Sequence, residues 1–146
     1  MTELKQGKDY VGVGVGAIVL NDEGQVFLSQ RGEKATNERG TWEFPGGKVD
    51  FGETLHGTLI REFMEEYDMT IKIIELLSVD DHILEDEGQH WVSPTYIAQS
   101  IGEAPQILEP HKCSAIGWFD LDNLPTPLSL ITQYNVRDYV EKLQNT

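Results

Sequence analysis

Three observations make this chain a mixed α/β layer fold. β-branched segments recur in short runs, two stretches carry apolar residues at helical spacing, and most of the strands fall between those two helices. In order, "YVGVGVGAIVLNDEGQVFLSQR" alternates from Tyr10 and turns continuously apolar at Ala17 to Leu20. It breaks at Asn21 to Gly24 and then resumes, which predicts two strands joined as a hairpin. Gly12, Gly14 and Gly16 fall on one face of the first strand. Either a neighbouring element approaches closely there, or the missing side chains leave floor space for a flat ligand. "GEKATNERG" is a polar loop, "TWEFPGGKVDFGE" a short strand with a glycine-rich connection, and Thr54 to Tyr67 a helix. "TIKIIELLSVDDHIL" and "HWVSPTYIAQ" follow as strands, with Pro94 predicting an edge position or a bulge in the second. "SAIGWFDLDNLP" ends in a turn. A final helix, "LSLITQYNVRDYVEKL", presents Leu130, Ile131, Tyr134, Val136, Tyr139 and Val140 as its apolar stripe.

Composition narrows the partners. The 146 residues suit one domain spanning 1–146, with no internal repeat or linker. With 25 acidic against 11 basic side chains, the net charge of -14 argues against nucleic acid or an anionic membrane as a partner. If phosphates bind, something else must supply positive charge. Cys113 stands alone, so the chain has no internal disulfide, and the thiol reads as a small buried hydrophobe. No signal-like or membrane-length apolar run is present, and the expected location is the cytoplasm.

The chemistry concentrates in "IREFMEEYDM", Ile60 to Met69. At about 100° per residue, Leu59, Ile60, Phe63, Met64 and Tyr67 cover one arc of the helix while Glu62, Glu65 and Glu66 cluster on another. Unpaired like charges three and four residues apart cost a helix roughly 0.2–0.5 kcal/mol per pair. A divalent cation removes that penalty. Magnesium suits it, being a hard ion that takes a few carboxylates together with substrate phosphates and water. Upstream, "PGGKVDFGE" has glycines that let the backbone turn tightly, and Glu53 at the helix mouth is placed for Arg61 to pair with it or with a helix glutamate.

Gly47, five residues, Glu53, seven residues and then Arg61-Glu62-Phe63-Met64-Glu65-Glu66 resembles the box of the Nudix hydrolase family, with every charged position present. The run "TWEFPGG" before it and "WFDLDNLP" after it extend the likeness over most of the chain. One position departs: Asp68 stands where the family has a helix-ending glycine. Asp tolerates the left-handed conformation better than most residues, so a small stability cost and intact metal chemistry are expected.

The resemblance implies a Nudix-type α/β/α sandwich, with a mixed sheet between helices, and magnesium as cofactor with manganese as a substitute. It implies metal ligation by Glu62, Glu65, Glu66 and the Gly46 carbonyl, with Glu53 and Arg61 orienting the set. The reaction implied is hydrolysis of a nucleoside diphosphate linked to another group, with Glu53, Glu65, Glu66 or Glu109 as the general base. Arg31 and Lys48 are candidate phosphate contacts, each with a surface ion pair as the alternative. Trp42, Phe44 and Trp91 are either base-stacking groups or core. His82, His90 and His111 lack metal-ligand spacing and read as ordinary polar residues with substrate contacts open to them.

Absent markers shape the substrate class. Family members that hydrolyse ADP-ribose often carry a proline roughly fifteen positions past the box, where Leu84 and Glu85 stand here. The tyrosine of the diadenosine-polyphosphate branch is replaced by Glu87 and Gly88, and Leu128 and Ser129 occupy the place of the MutT asparagine that reads oxidised guanine. What remains resembles the MutT-like branch, which cleaves nucleoside triphosphates to monophosphate and pyrophosphate. ADP-ribose or nucleoside-diphosphate-sugar hydrolysis is the alternative, and a non-catalytic nucleotide-sensing module is the third reading. By analogy with other small members, the chain is also a candidate homodimer.

Overall fold

The structure is a computed structural model that describes residues 3–146. Strands β1 (Gly12–Leu20), β2 (Val26–Arg31), β3 (Trp42–Glu43) and β4 (Gly46–Lys48) precede helix α1 (Leu55–Tyr67). Strands β5 (Thr70–Leu84), β6 (Gln89–Ile101) and β7 (Cys113–Phe119) and helix α2 (Leu130–Gln144) follow. The seven strands form one mixed sheet, ordered β3-β2-β1-β6-β5, with β4 added to β1 and β7 to β2. β1 and β6 run parallel, with Ala17 opposite Tyr96, and the other pairs are antiparallel. The helices cover opposite faces, so the layers are α/β/α as the family resemblance implied.

The expected hairpin between β1 and β2 is reduced to a single pair, Leu20 with Val26. Asn21 shapes the turn, its Oδ1 accepting from the backbone N–H of Glu23 and Gln25. Beyond the turn the strands diverge. β4 lies against β1 instead, with Gly16 opposite Gly46, and β2 turns to β3 and β7. That divergence opens the sheet at the end where the site lies. Pro94 falls in a central strand, not at an edge, since β6 is paired on both sides. The register shift near it lies in β5, between Leu76 and Ser78.

On one face, Leu59, Phe63 and Tyr67 of α1 pack against Val15, Ala17, Val19 and Phe27, with Phe27 and Tyr67 edge to face at 5.1 Å. On the other, Tyr139 and Val136 of α2 meet Ile18, Val26, Leu28 and Ile97. The stripe expected on α2 is corrected by this packing. Its buried residues are Thr132, Asn135 and Tyr139, while Leu130, Ile131 and Tyr134 are only partly covered. Among the described residues, no helix is long and apolar enough to cross a membrane.

Candidate active site

The box folds as a cap, a clamp and a stop. Thr54 caps α1, its hydroxyl accepting from the Gly57 N–H at 3.0 Å. Arg61 reaches back from the second turn and holds Glu53 in a two-pronged pair, Nε to Oε2 at 2.8 Å and Nη2 to Oε1 at 2.9 Å. Its Nη1 also donates to Glu62 Oε1 at 3.1 Å and Glu65 Oε2 at 3.2 Å. Arg61 therefore orients three carboxylates at once. Its hydrogen bonds hold the Glu53 carboxyl down at about 2, so that group stays ionised. At the far end Asp68 takes the left-handed conformation, φ 53°, and Met69 N–H bonds the Phe63 carbonyl at 3.2 Å. This is the geometry a glycine would supply there.

Glu62 and Glu66, one turn apart, line a cavity of about 810 Å³. Glu65 does not line it; it points outward, half exposed, against Arg61. The three glutamates thus do not form a ready-made cluster, and no group of three or more metal-ligating side chains is gathered among the described residues. Burial pushes the Glu66 carboxyl up to about 8, and the hydrogen bond and charge of Glu62 add to it, with Glu43 contributing further. These residues fit a hard divalent cation. Two crowded carboxylates, with Gly46 alongside them on the cavity wall, match an ion that draws its remaining ligands from phosphate and water. Gly47 gives that arrangement its room, since a Cβ there would stand 2.6 Å from a Glu62 carboxylate oxygen.

The cavity answers the charge problem. Lys5, Lys8, Arg31, Lys34, Lys48 and Lys112, six of the eleven basic residues in the chain, line it. Arg31 is braced by Glu43 at 3.0 Å and by the Asn37 carbonyl. Glu109 lines the cavity from the loop before β7, 3.5 Å from Lys112. That loop is tied to the end of α1 by Gln106 N–H to the Tyr67 carbonyl and Leu108 N–H to the Glu66 carbonyl. Glu53, Arg61 and Glu65 lie outside the cavity lining.

Among the aromatics, Phe44 is buried and forms part of the wall, as does Trp91. Trp42 is turned away from the cavity. It packs edge-on to Phe119 at 5.3 Å, because β3 presents it to the core under α2. Cys113 is buried and its thiol is pushed up to about 11 by that burial, so it stays protonated. Sequence reasoning missed Glu43, Lys112, Gln89 and Asn135, all on the cavity wall. Glu43 had a signal, since it stands inside the "TWEFPGG" run; the others carry none.

A family model, the NUDIX domain, matches residues 11–139. The chain belongs to the Nudix family. Its structure superposes on that of a MutT NUDIX hydrolase from Burkholderia pseudomallei with a TM-score of 0.81. Identity is 39%, over 88% of this chain and 98% of that one. The mouse 8-oxo-dGDP phosphatase NUDT18 is 30% identical over 77% of this chain and 33% of its own length. The ADP-ribose pyrophosphatase of Methanocaldococcus jannaschii is 29% identical over 94% of this chain and 79% of its own. The chain spans about a third of the length of NUDT18. The chain is similar to these relatives, and its box charges are complete.

Proposed function

We propose that the protein is a divalent-cation-dependent pyrophosphohydrolase that converts nucleoside triphosphates to monophosphate and pyrophosphate in the cytoplasm. The observation that carries this is one cavity in a -14 chain that is lined by Glu62 and Glu66 together with six basic side chains. A magnesium or manganese ion at Glu62, Glu66 and Gly46 would neutralise phosphate oxygens and acidify water when bound. Arg31, Lys48 and Lys112 would hold the polyphosphate. Glu109 is assigned as the base because it lines the cavity from outside the box helix, whereas Glu62 and Glu66 are reserved for the cation and Glu53 and Glu65 lie outside the lining. Water adds to phosphorus as its proton passes to the Glu109 carboxylate and the bond to the leaving pyrophosphate breaks.

A panel of ribo- and deoxynucleoside triphosphates, ADP-ribose and nucleotide sugars, with products identified, tests the reading. Pyrophosphate plus monophosphate supports it, whereas turnover of ADP-ribose alone overturns it in favour of the second reading that the M. jannaschii relative suggests. Glu109→Gln is expected to lower kcat by about 10²–10⁴-fold, the usual worth of a general base. Its cation-induced gain in thermal stability should persist. A homodimer is a further part of this reading, since β5 ends the strand order and among the described residues pairs with β6 alone, leaving an edge to which a second copy could add.

A further inference from the structure

Gln89 opens β6 on the wall of the cavity and is 5% exposed. Its Oε1 accepts two hydrogen bonds, from Asn37 Nδ2 at 2.9 Å and from Trp91 Nε1 at 3.0 Å. An indole N–H only donates, so the oxygen end of the amide is fixed. The indole is anchored in turn. Trp91 lies opposite Gly12 in the register of β1 and β6, and a Cβ at Gly12 would stand 2.6 Å from its ring. A Cβ at Gly7 would stand 2.3 Å from the same ring, and the Gly7 carbonyl is itself held by the His90 N–H at 2.8 Å. Trp91 thus sits against two backbones that only glycine lets come so close. Of the two readings of the β1 glycines, close approach is the one that holds at Gly12.

Asn37, the other partner, belongs to the polar loop that joins β2 to β3. While its side chain bonds Gln89, its carbonyl accepts from Arg31 Nε at 3.0 Å. Arg31 Nη1 goes to both oxygens of Glu43, at 3.0 and 3.2 Å. That leaves Nη2 without a bond among the described residues, on a side chain that lines the cavity. Two braces therefore settle which guanidinium nitrogen remains for a ligand, and one of them is a loop carbonyl. Glu38, the next residue, fastens the loop a second time. It takes the left-handed conformation, φ 44°, and its Oε2 accepts from the Leu130 N–H at the start of α2 at 3.2 Å. The buried His82 Nε2, which has no hydrogen bond, lies 3.5 Å from Glu38 Oε1.

We propose that Gln89 is a positioning residue for Arg31: through Asn37 it holds the loop so that Arg31 keeps Nη2 for a substrate phosphate. The relay runs from Trp91 to Gln89 to Asn37 to Arg31. Without the Gln89 oxygen, the Trp91 and Asn37 donors lose their acceptor, the loop is held at Glu38 alone, and Arg31 loses the brace on Nε. The inference rests on the nucleotide reading above for the phosphate, and adds a side chain from another strand that acts through Arg31.

Calorimetric titration of the full chain with methylenediphosphonate in excess magnesium reads the phosphate contact without turnover, because the P–C–P bridge of this pyrophosphate analogue is not hydrolysed. Arg31→Ala is expected to weaken binding by about ten-fold or more, the loss of a charged hydrogen bond. A double-mutant cycle separates positioning from general damage to the fold. Gln89→Leu should weaken binding by about five-fold in the native background and by less than about two-fold once Arg31 is already Ala. Asn37→Ala removes the same bond from a partly exposed residue and should follow Gln89→Leu through the cycle. Circular dichroism checks that each variant folds, and if Gln89→Leu does not, the Asn37→Ala cycle decides. No loss in Arg31→Ala or Gln89→Leu, equal losses in both backgrounds, or no binding of the analogue by the native protein overturns the proposal. Triphosphate hydrolysis by the native protein is scored separately. Hydrolysis with equal losses in the cycle removes this inference and leaves the pyrophosphohydrolase reading, and a coupled cycle without hydrolysis does the reverse.

Discussion

Glu66 holds the most consequential charge in the chain. Its carboxyl, pushed up to about 8 by burial and by Glu62, binds a proton in the folded protein over a range where an unfolded glutamate, near 4.5, has released it. The sign follows from linkage. The folded state carries the extra proton, so this group's contribution to stability is full below about 4.5 and is lost as pH rises through about 8. Thermal melting in chelator should show a contribution of that sign, and Glu66→Gln should remove it. The same proton must leave for a cation to bind. Magnesium affinity measured by calorimetry should therefore climb with pH, approaching about ten-fold per unit well below 8, and flatten above it. Glu66→Gln should also abolish cation-dependent turnover. Glu65→Gln should do less, because Glu65 faces Arg61 outside the cavity, although equal spacing in the box had put both among the ligands. Carboxylate identity and spacing were readable in the sequence, but the direction each side chain takes was not. Arg61 holds Glu53 and Glu65 outside the cavity, while Glu62, which it also contacts, still reaches the lining.

Helix α1 shows how an unusual residue can preserve a common geometry. Asp68 closes it in the left-handed conformation, with backbone bonds to the Met64 and Phe63 carbonyls. A left-handed L-residue costs roughly 1–2 kcal/mol, and glycine gives back about 0.5–1 kcal/mol of that in chain entropy. Asp68→Gly is thus expected to stabilise the protein by about 0.5 kcal/mol, measured by urea denaturation, with kcat unchanged. A loss of activity would mean that Asp68 does more than end the helix. The start of α1 and its stop were legible, since capping is a local property. Its apolar arc was legible only in part: Leu59, Phe63 and Tyr67 are buried, but Ile60 and Met64, read into the same arc, are exposed, because the sheet covers a narrower stripe than the one expected. α2 was less so. Thr132 and Asn135 are buried on it because Ser129, Phe44 and Thr95 offer them partners, and no hydrophobic pattern announces a polar face that is satisfied from other strands.

The molecule as a whole is acidic, yet six of its eleven basic residues line one cavity. A cation that binds the folded chain alone should raise its stability, by about 2.7 kcal/mol at a hundred times its Kd, and thermal shift against magnesium concentration measures this. Absence of any shift near pH 8 would remove the cation from the proposed mechanism. The mixed α/β class, the acidic helix, the glycine connection and the resemblance to the family could be read from neighbouring residues, because strand alternation, helix periodicity and box spacing are fixed over a few turns of chain; the α/β/α layer order followed from the resemblance. The cavity could not. It exists because β1 and β2 part after one pair and β4 takes β2's place along β1. That long-range packing brings Glu43, His82, Gln89, Glu109 and Asn135, from five separate segments, onto the wall of one cavity. Such closure depends on which strands find each other across the sheet, and residues so far apart in the chain carry no local mark of it.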